Sequence, residues 1–177
     1  MFPQLQTTRL LLEQFMPEDQ EFVFSALSHP DVIRHYGVEY HTLEATKEQM
    51  DYFQNLYTHK TGIWWKILDR ETGTPLGGIG MNNYQKQHNR AEIGYWLLPP
   101  YWGRGIVTEA LAAMVDYLFR EWVLHRIEAV VEVGNSNSAR VLERAGFVYE
   151  GTLRDCEIKG GRYISLLMFS LLTTDKR

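Results

Sequence analysis

Tyr101–Met114, YWGRGIVTEALAAM, sets an arginine between two glycines and follows it at once with an apolar, alanine-bearing run. Immediately upstream, Ala91–Pro100, AEIGYWLLPP, reads as a strand that stops at a proline pair. The local order is therefore strand, glycine-bearing turn, helix. Two readings of the turn stand side by side. A loop entering a helix offers unpaired backbone N–H groups at the positive end of the helix dipole, a ready anion site. Gly103 and Gly105 also lack the Cβ atoms that would hold a diphosphate off the backbone, and Arg104 adds a mobile charge. Alternatively, the glycines serve only a tight turn that needs positive φ. The spacing is neither GxGxxG nor GxxxxGK[ST], so nothing points to a dinucleotide fold or a P-loop.

Working outward, Val107–Trp122 carries apolar residues at 107, 110, 111, 114, 115, 118, 119 and 122, the stripe of a helix. Arg126–Val133, RIEAVVEV, alternates as a strand. Because that helix joins it to the Ala91–Leu97 strand, the two are expected to run parallel. Open sheets hold ligands beyond the carboxyl ends of such strands, where neighbours part, and the glycine turn sits at one of these ends. Ser136–Ala145 reads as a short helix closed by Gly146. FVYEGTLRDCEI and RYISLLMFSLL flank Lys159-Gly160-Gly161-Arg162, a strong hairpin signal. Toward the N-terminus, Thr8–Phe15 reads as a strand, and Pro17 opens a helix through Ser28. Leu43–Tyr57 carries a helical stripe at Leu43, Met50, Phe53, Leu56 and Tyr57. IWWKILDR and PLGGIGMNNY form strand, turn, strand around ETGT. Adjacent Trp64 and Trp65 are expected to face opposite sides.

The resulting order is β, α, α, β, β, β, α, β, α, β, β, with no repeat or linker. It predicts one α/β domain over residues 1–177: a central mixed, splayed sheet of about seven strands flanked by about four helices. The chain is 177 residues long, 45% hydrophobic and 23% charged, the composition of a soluble globular protein able to bury a full core. A net charge of −4 argues against sequence-independent nucleic-acid binding. The single Cys156 excludes an intrachain disulfide and suits a reducing compartment. No basic leader precedes an apolar run, and no segment reaches the ~18 consecutive apolar residues of a membrane span. A cytoplasmic protein with no membrane partner is expected. The six histidines form no i,i+4 pair or Cys/His cluster, so no metal site is expected.

AEIGYWLLPPYWGRGIVTEAL, NSNSARVLERAGFVYEG, the closing LRD…KGGR…LLMFSLL and the opening TTRLLLEQF together resemble the GCN5-related N-acetyltransferases (GNAT), within them the RimJ/RimL-like branch that contains the ribosomal-protein N-terminal acetyltransferases. The resemblance spans nearly the whole chain and implies a GNAT fold and acetyl-coenzyme A (acetyl-CoA) as co-substrate. The family motif [Q/R]xxGx[G/A] falls on Trp102-Gly103-Arg104-Gly105-Ile106-Val107. Trp102 replaces the polar first residue and Val107 a small one; Val107 either crowds the diphosphate or turns into the core, and its place in the helical stripe favours the core. The resemblance implies that backbone amides from about Gly103 to Thr108 hold the diphosphate, and that a backbone N–H near Leu97 or Leu98 stabilises the oxyanion.

Acetyl transfer from a thioester to an amine needs a neutral amine, a stabilised carbonyl oxygen and a proton for the departing thiolate. No Ser-His-Asp set or cysteine nucleophile is recognisable, and Cys156 reads as structural. Asn135 and Ser138 occupy the branch's N-x-x-S positions. Both suit helix capping; the resemblance implies instead that Asn135 bonds the pantetheine arm and Ser138 protonates the thiolate. Glu92 shares a strand face with Gly94 and Trp96 and is the candidate base acting through water, against a solvated or salt-bridged strand end. Glu109 complements the helix dipole or supports the loop, and Glu157 is a weaker base candidate. His35, Tyr36 and Tyr40 are candidate acceptor-lining residues. The expected activity is transfer of acetyl to a primary amine, with a protein N-terminus (ribosomal or other) first and a small amine such as a polyamine, amino acid or antibiotic second. A non-catalytic acyl-CoA-binding sensor is the alternative of another class. A homodimer through the apolar last strand is also open.

Overall fold

Alternation along the strands decides how this sheet is covered. The computed structural model describes residues 1–175. In chain order these form β1 (Leu5–Gln6), β2 (Leu10–Gln14), α1 (Gln20–Leu27), α2 (Pro30–Ile33), α3 (Lys47–Thr58), β3 (Ile63–Asp69), β4 (Pro75–Gln85), β5 (Arg90–Leu97), α4 (Ile106–Glu121), β6 (Arg126–Glu132), α5 (Ser136–Arg144), β7 (Val148–Lys159) and β8 (Arg162–Leu172). All eight strands lie in one sheet ordered β1-β2-β3-β4-β5-β6-β8-β7. Every pairing is antiparallel except β5 with β6, which run parallel as their helical connection requires.

The sheet separates two cores. Trp65, Ile79, Met81, Ala91, Ile93, Ile127 and Phe169 face α4 and α5, where Leu111, Met114, Leu118 and Leu142 are fully buried against them. On the other face Trp64 and Trp96 pack with Phe15, Val23, Leu27, Phe53 and Leu56 of the α1–α3 side. The adjacent tryptophans thus serve different cores: Trp65 meets Tyr117 edge-on at 5.5 Å, and Trp64 stacks on Phe53 at 5.4 Å. Glycines make room for the indoles. A Cβ on Gly78 would stand 2.8 Å from the Trp96 ring, and one on Gly80 would collide with Trp64.

Differences from the sequence expectation lie at short or locally competed segments. The strand expected over Thr8–Phe15 forms as β2, and an unexpected two-residue β1 precedes it across a turn in which the Thr7 hydroxyl accepts the Leu10 N–H at 2.9 Å. Within His29–Thr42 a single turn forms α2, started by Pro30 and by His29 Nδ1, which accepts the Asp31 N–H. The third helix starts at Lys47 rather than Leu43. Thr42 Oγ1 accepts the Ala45 N–H at 3.1 Å, a local side-chain bond that competes with helix, and Leu43 is left exposed. β7 closes the far edge of the sheet, so β8 is an interior strand; Val148, Leu153 and Ile158 of β7 are exposed.

Candidate active site

The parallel strands part early. β5 and β6 pair only at Arg90↔Arg126, Ala91↔Ile127 and Glu92↔Glu128. Beyond Glu92 a cavity of about 680 Å³ opens between them, within the usual range for small-ligand sites. Ile93–Leu97 form one wall, Ala129–Val131 the other, and residues 101–108 its rim. The Leu98 N–H donates to the Leu76 carbonyl at 2.9 Å. Leu98 is therefore occupied and lies off the cavity wall, which removes it as an oxyanion donor. Since N–H directions alternate along a strand, the Leu97 N–H turns away from β4, toward the side that β6 has left. The Leu97 carbonyl points the same way and accepts Trp102 Nε1 at 2.7 Å. Trp102 thus fastens the glycine loop to the end of β5.

Gly103 and Gly105 have φ of 73° and 72°, a left-handed backbone that other residues adopt with strain. The tight-turn reading is therefore correct as far as it goes. The backbone is also open: a Cβ on Gly103 would meet nothing within 4 Å. The helical ladder of α4 starts with Glu109 N–H to the Gly105 carbonyl at 3.1 Å, so the N–H groups before it have no intrahelical acceptor. Open, unpaired N–H groups at the start of a long helix, on the rim of a cavity large enough for a pantetheine arm, fit a diphosphate-bearing thioester. Gly103, Arg104, Gly105, Ile106, Val107 and Thr108 all line the cavity. Val107 divides its side chain, packing at the margin of the α4 core while reaching the wall. Arg104 extends over Tyr101, 5.8 Å from the ring centre.

On the opposite rim, α5 begins with Asn135 as its cap: Oδ1 accepts the Ser138 N–H at 3.2 Å. The capping role is what the contacts display, and the side-chain NH2 remains available on the cavity wall. Ser138 Oγ lies 2.6 Å from the hydroxyl of Tyr95. Burial pushes the Tyr95 phenol up to about 12, with the Ser138 bond pulling the other way, so it stays protonated at neutral pH. Sequence reading missed Tyr95, although alternation placed it: it faces opposite to Glu92, Gly94 and Trp96, toward α5.

Glu92 stands at the fork, on the face away from α4 and not on the cavity wall itself. Burial raises its pKa above the usual carboxylate range; Asn83 Nδ2, bonded at 3.3 Å, opposes this, and the negative Glu128 and Glu157 add to the rise. Glu128 is neutralised by Arg90 at 3.1 Å and Arg126 at 2.7 Å. Glu157 is exposed on β7, as is Cys156. Glu109 points out of the cavity toward Arg9, bonded at 2.7 Å. His35 and Tyr36 line the cavity. His35 Nδ1 is buried with no hydrogen bond among the described residues and lies 3.6 Å from Glu132 Oε1. Lys159 Nζ donates to Glu132 Oε2 at 2.7 Å and to the Arg34 carbonyl, so the tip of the β7–β8 hairpin holds the segment after α2. Tyr40 is different from its expected role: it packs on the α1–α3 core, its hydroxyl 3.3 Å from Gln49 Oε1, and does not line the cavity.

Residues 9–148 match the family model described as an acetyltransferase (GNAT) domain. An uncharacterized N-acetyltransferase of Bacillus subtilis (strain 168), YoaA, is 37% identical over 173 residues, 97% of this chain and 98% of its own. Among solved structures, RimL, a ribosomal L7/L12 alpha-N-protein acetyltransferase in complex with coenzyme A, superposes with a TM-score of 0.87 at 20% identity, over 96% of this chain and 98% of that one. Spermidine N-acetyltransferase from Vibrio cholerae, in complex with coenzyme A and spermine, gives 0.84 at 20% identity over the same shares. At that identity the two structures establish likeness of fold.

Proposed function

The chain belongs to the GNAT acetyltransferases, enzymes that use acetyl-CoA, and from that premise we propose that it acetylates a primary amine by direct attack, a protein N-terminus such as that of a ribosomal protein being the first acceptor. The observation that carries the reading is the fork: two parallel strands parting over a cavity whose rim is a left-handed glycine loop opening a helix. Acetyl-CoA supplies an acyl group already activated as a thioester, so the protein needs no nucleophile of its own. The amides of Gly103 to Thr108 hold its diphosphate, with the Asn135 side-chain NH2 available to the pantetheine arm. The Leu97 N–H serves the carbonyl oxygen. Glu92 takes the ammonium proton through a water molecule, a task its raised pKa suits because a stronger base is needed. Ser138 delivers a proton to the departing sulfur, with Tyr95 behind it as second donor. His35 and Tyr36 line the acceptor side.

A small cationic amine is the second reading. Glu92 has no ion-pair partner among the described residues and feels the negative charges of Glu128 and Glu157, a local excess of carboxylate suited to a cationic amine, and the spermidine enzyme shares the fold. The test is isothermal titration of acetyl-CoA into the wild type and a Gly103→Glu variant, followed by an acceptor panel of N-terminal peptides and polyamines. Wild-type binding, lost in a variant that still melts cooperatively, supports the cradle. Coenzyme A released one-for-one with an acetylated product supports the enzyme and identifies the acceptor class. Binding without turnover on any amine would return the sensor reading.

A further inference from the structure

The peptide between Arg104 and Gly105 is where the glycine loop takes its direction. In a trans peptide the C=O and N–H point opposite ways, so whatever holds the Arg104 carbonyl decides where the Gly105 N–H points. Arg9 is the holder, 95 positions away in sequence: its Nη1 donates to the Arg104 carbonyl at 3.0 Å. It approaches from outside the cavity, of which it is not a lining residue. Arg9 is itself fixed by Glu109. Its Nε donates to Oε2 at 2.7 Å and its backbone N–H to Oε1 at 2.9 Å, while the Thr7 hydroxyl donates to the same Oε1 at 2.6 Å. A free carboxylate in the first turn of α4 would repel a diphosphate bound beside it. Partial burial works to raise the Glu109 pKa, but Thr7 and Arg9 outweigh it and hold it below the usual range, so this carboxylate stays ionised and engaged on the far side of the loop.

We propose that Arg9, set in place by Glu109 and Thr7, is a positioning residue for the acetyl-CoA diphosphate: by drawing the Arg104 carbonyl outward it keeps the Gly105 N–H turned into the cavity. The proposal rests on the family's use of acetyl-CoA. Side-chain exposure of Arg9 is 51%, and pairs this exposed add little to global stability. Ligand affinity, rather than melting temperature, is therefore the quantity that should respond.

The experiment titrates coenzyme A, and separately S-acetylpantetheine, which has no diphosphate, into the wild type and the Arg9→Met, Arg9→Lys and Thr7→Val variants, without any acceptor amine. Arg9→Met is expected to raise the Kd for coenzyme A about tenfold, the scale of one charge-assisted hydrogen bond, and to leave S-acetylpantetheine binding and the melting temperature unchanged. Arg9→Lys, with one ammonium for two acceptors, keeps most of that loss, and Thr7→Val moves affinity in the same direction by less. Coenzyme A binding in Arg9→Met or Arg9→Lys equal to wild type would overturn the proposal. So would equal weakening of both ligands, which marks general damage to the cavity. A wild type that binds no coenzyme A at all would overturn the cofactor assignment instead, a distinguishable failure.

Discussion

Ser138 and Tyr95 come from different elements, yet their hydroxyls stand 2.6 Å apart. A serine alone is a poor acid; a phenol behind it can return the proton that serine gives up. Tyr95→Phe should lower kcat about tenfold, on the order of one hydrogen bond's worth of free energy, while the KM for acetyl-CoA stays near wild type. An unchanged kcat would leave Ser138 acting alone or merely orienting. Glu92 gives a sharper case because two opposite signs meet in one carboxylate. As a base it works only when ionised, so activity should fall as pH drops through its raised pKa. Glu92→Gln should cost on the order of 10²-fold in kcat/KM and flatten that acid limb. For stability the sign reverses. A folded-state pKa above the unfolded value means that the group favours folding below the unfolded pKa, a contribution lost as pH rises through the folded one. Glu92→Gln should therefore melt higher than wild type at pH 8, with the gap closing toward pH 4. A variant less active yet no more stable at pH 8 would show that the carboxylate is not destabilised by its burial.

At the scale of elements, what could be read from the sequence was whatever is periodic or punctuated over many residues. β5, β6, α4, α5 and the last hairpin all lie within a residue or so of where alternation, the 3.6-residue stripe, Asn135 and the Gly-Gly turn put them. The two-residue β1 and four-residue α2 are too short to carry a period, and the start of α3 yields to a threonine turn. In the site, Gly103–Thr108, Asn135, Ser138, His35 and Tyr36 meet around one cavity. Leu98 and Tyr40 do not, because the competing partners that occupy them, the Leu76 carbonyl and Gln49, are chosen by tertiary packing. Arg9 was illegible for the same reason, since its partner is 95 positions along the chain. The glycines of β4 were read only as part of a strand, whereas their function is a close approach of indole to backbone. Gly78→Ala would push a methyl to 2.8 Å from the Trp96 ring, and a rigid ring has no small movement to offer. Overpacking of this kind costs about 1–3 kcal/mol, which should lower the Tm by roughly 2–4 °C per kcal/mol in a chain of this size. An unaltered Tm would mean that β4 and β5 slide apart freely.

Across the whole molecule, the sheet is two antiparallel blades joined at a narrow seam. β1–β5 form one blade and β6, β8 and β7 the other, with only three residue pairs connecting β5 to β6. The α4 crossover, the Arg90–Glu128 pair at 3.1 Å and the Lys159 bond to the Arg34 carbonyl supply further ties. Such a seam leaves strand-edge N–H and C=O groups of Ile93–Leu97 and Ala129–Val131 facing a cavity instead of each other. A ligand laid between the blades touches both, so it should act as the missing strand and tie the halves together. By mass action a ligand at a hundred times its Kd stabilises the folded state by about 2.7 kcal/mol, which corresponds to a Tm rise of roughly 5–10 °C. Hydrogen exchange should slow at Ile93–Leu97 and Ala129–Val131 together, on both walls, when acetyl-CoA is added. Protection confined to residues 103–108, with the two walls exchanging as before, would mean that the diphosphate end binds without the arm entering the fork. The same protein could then hold the co-substrate while leaving its acetyl group away from Glu92, Leu97 and Ser138, and the assignment of those three residues would fall while the glycine cradle stood.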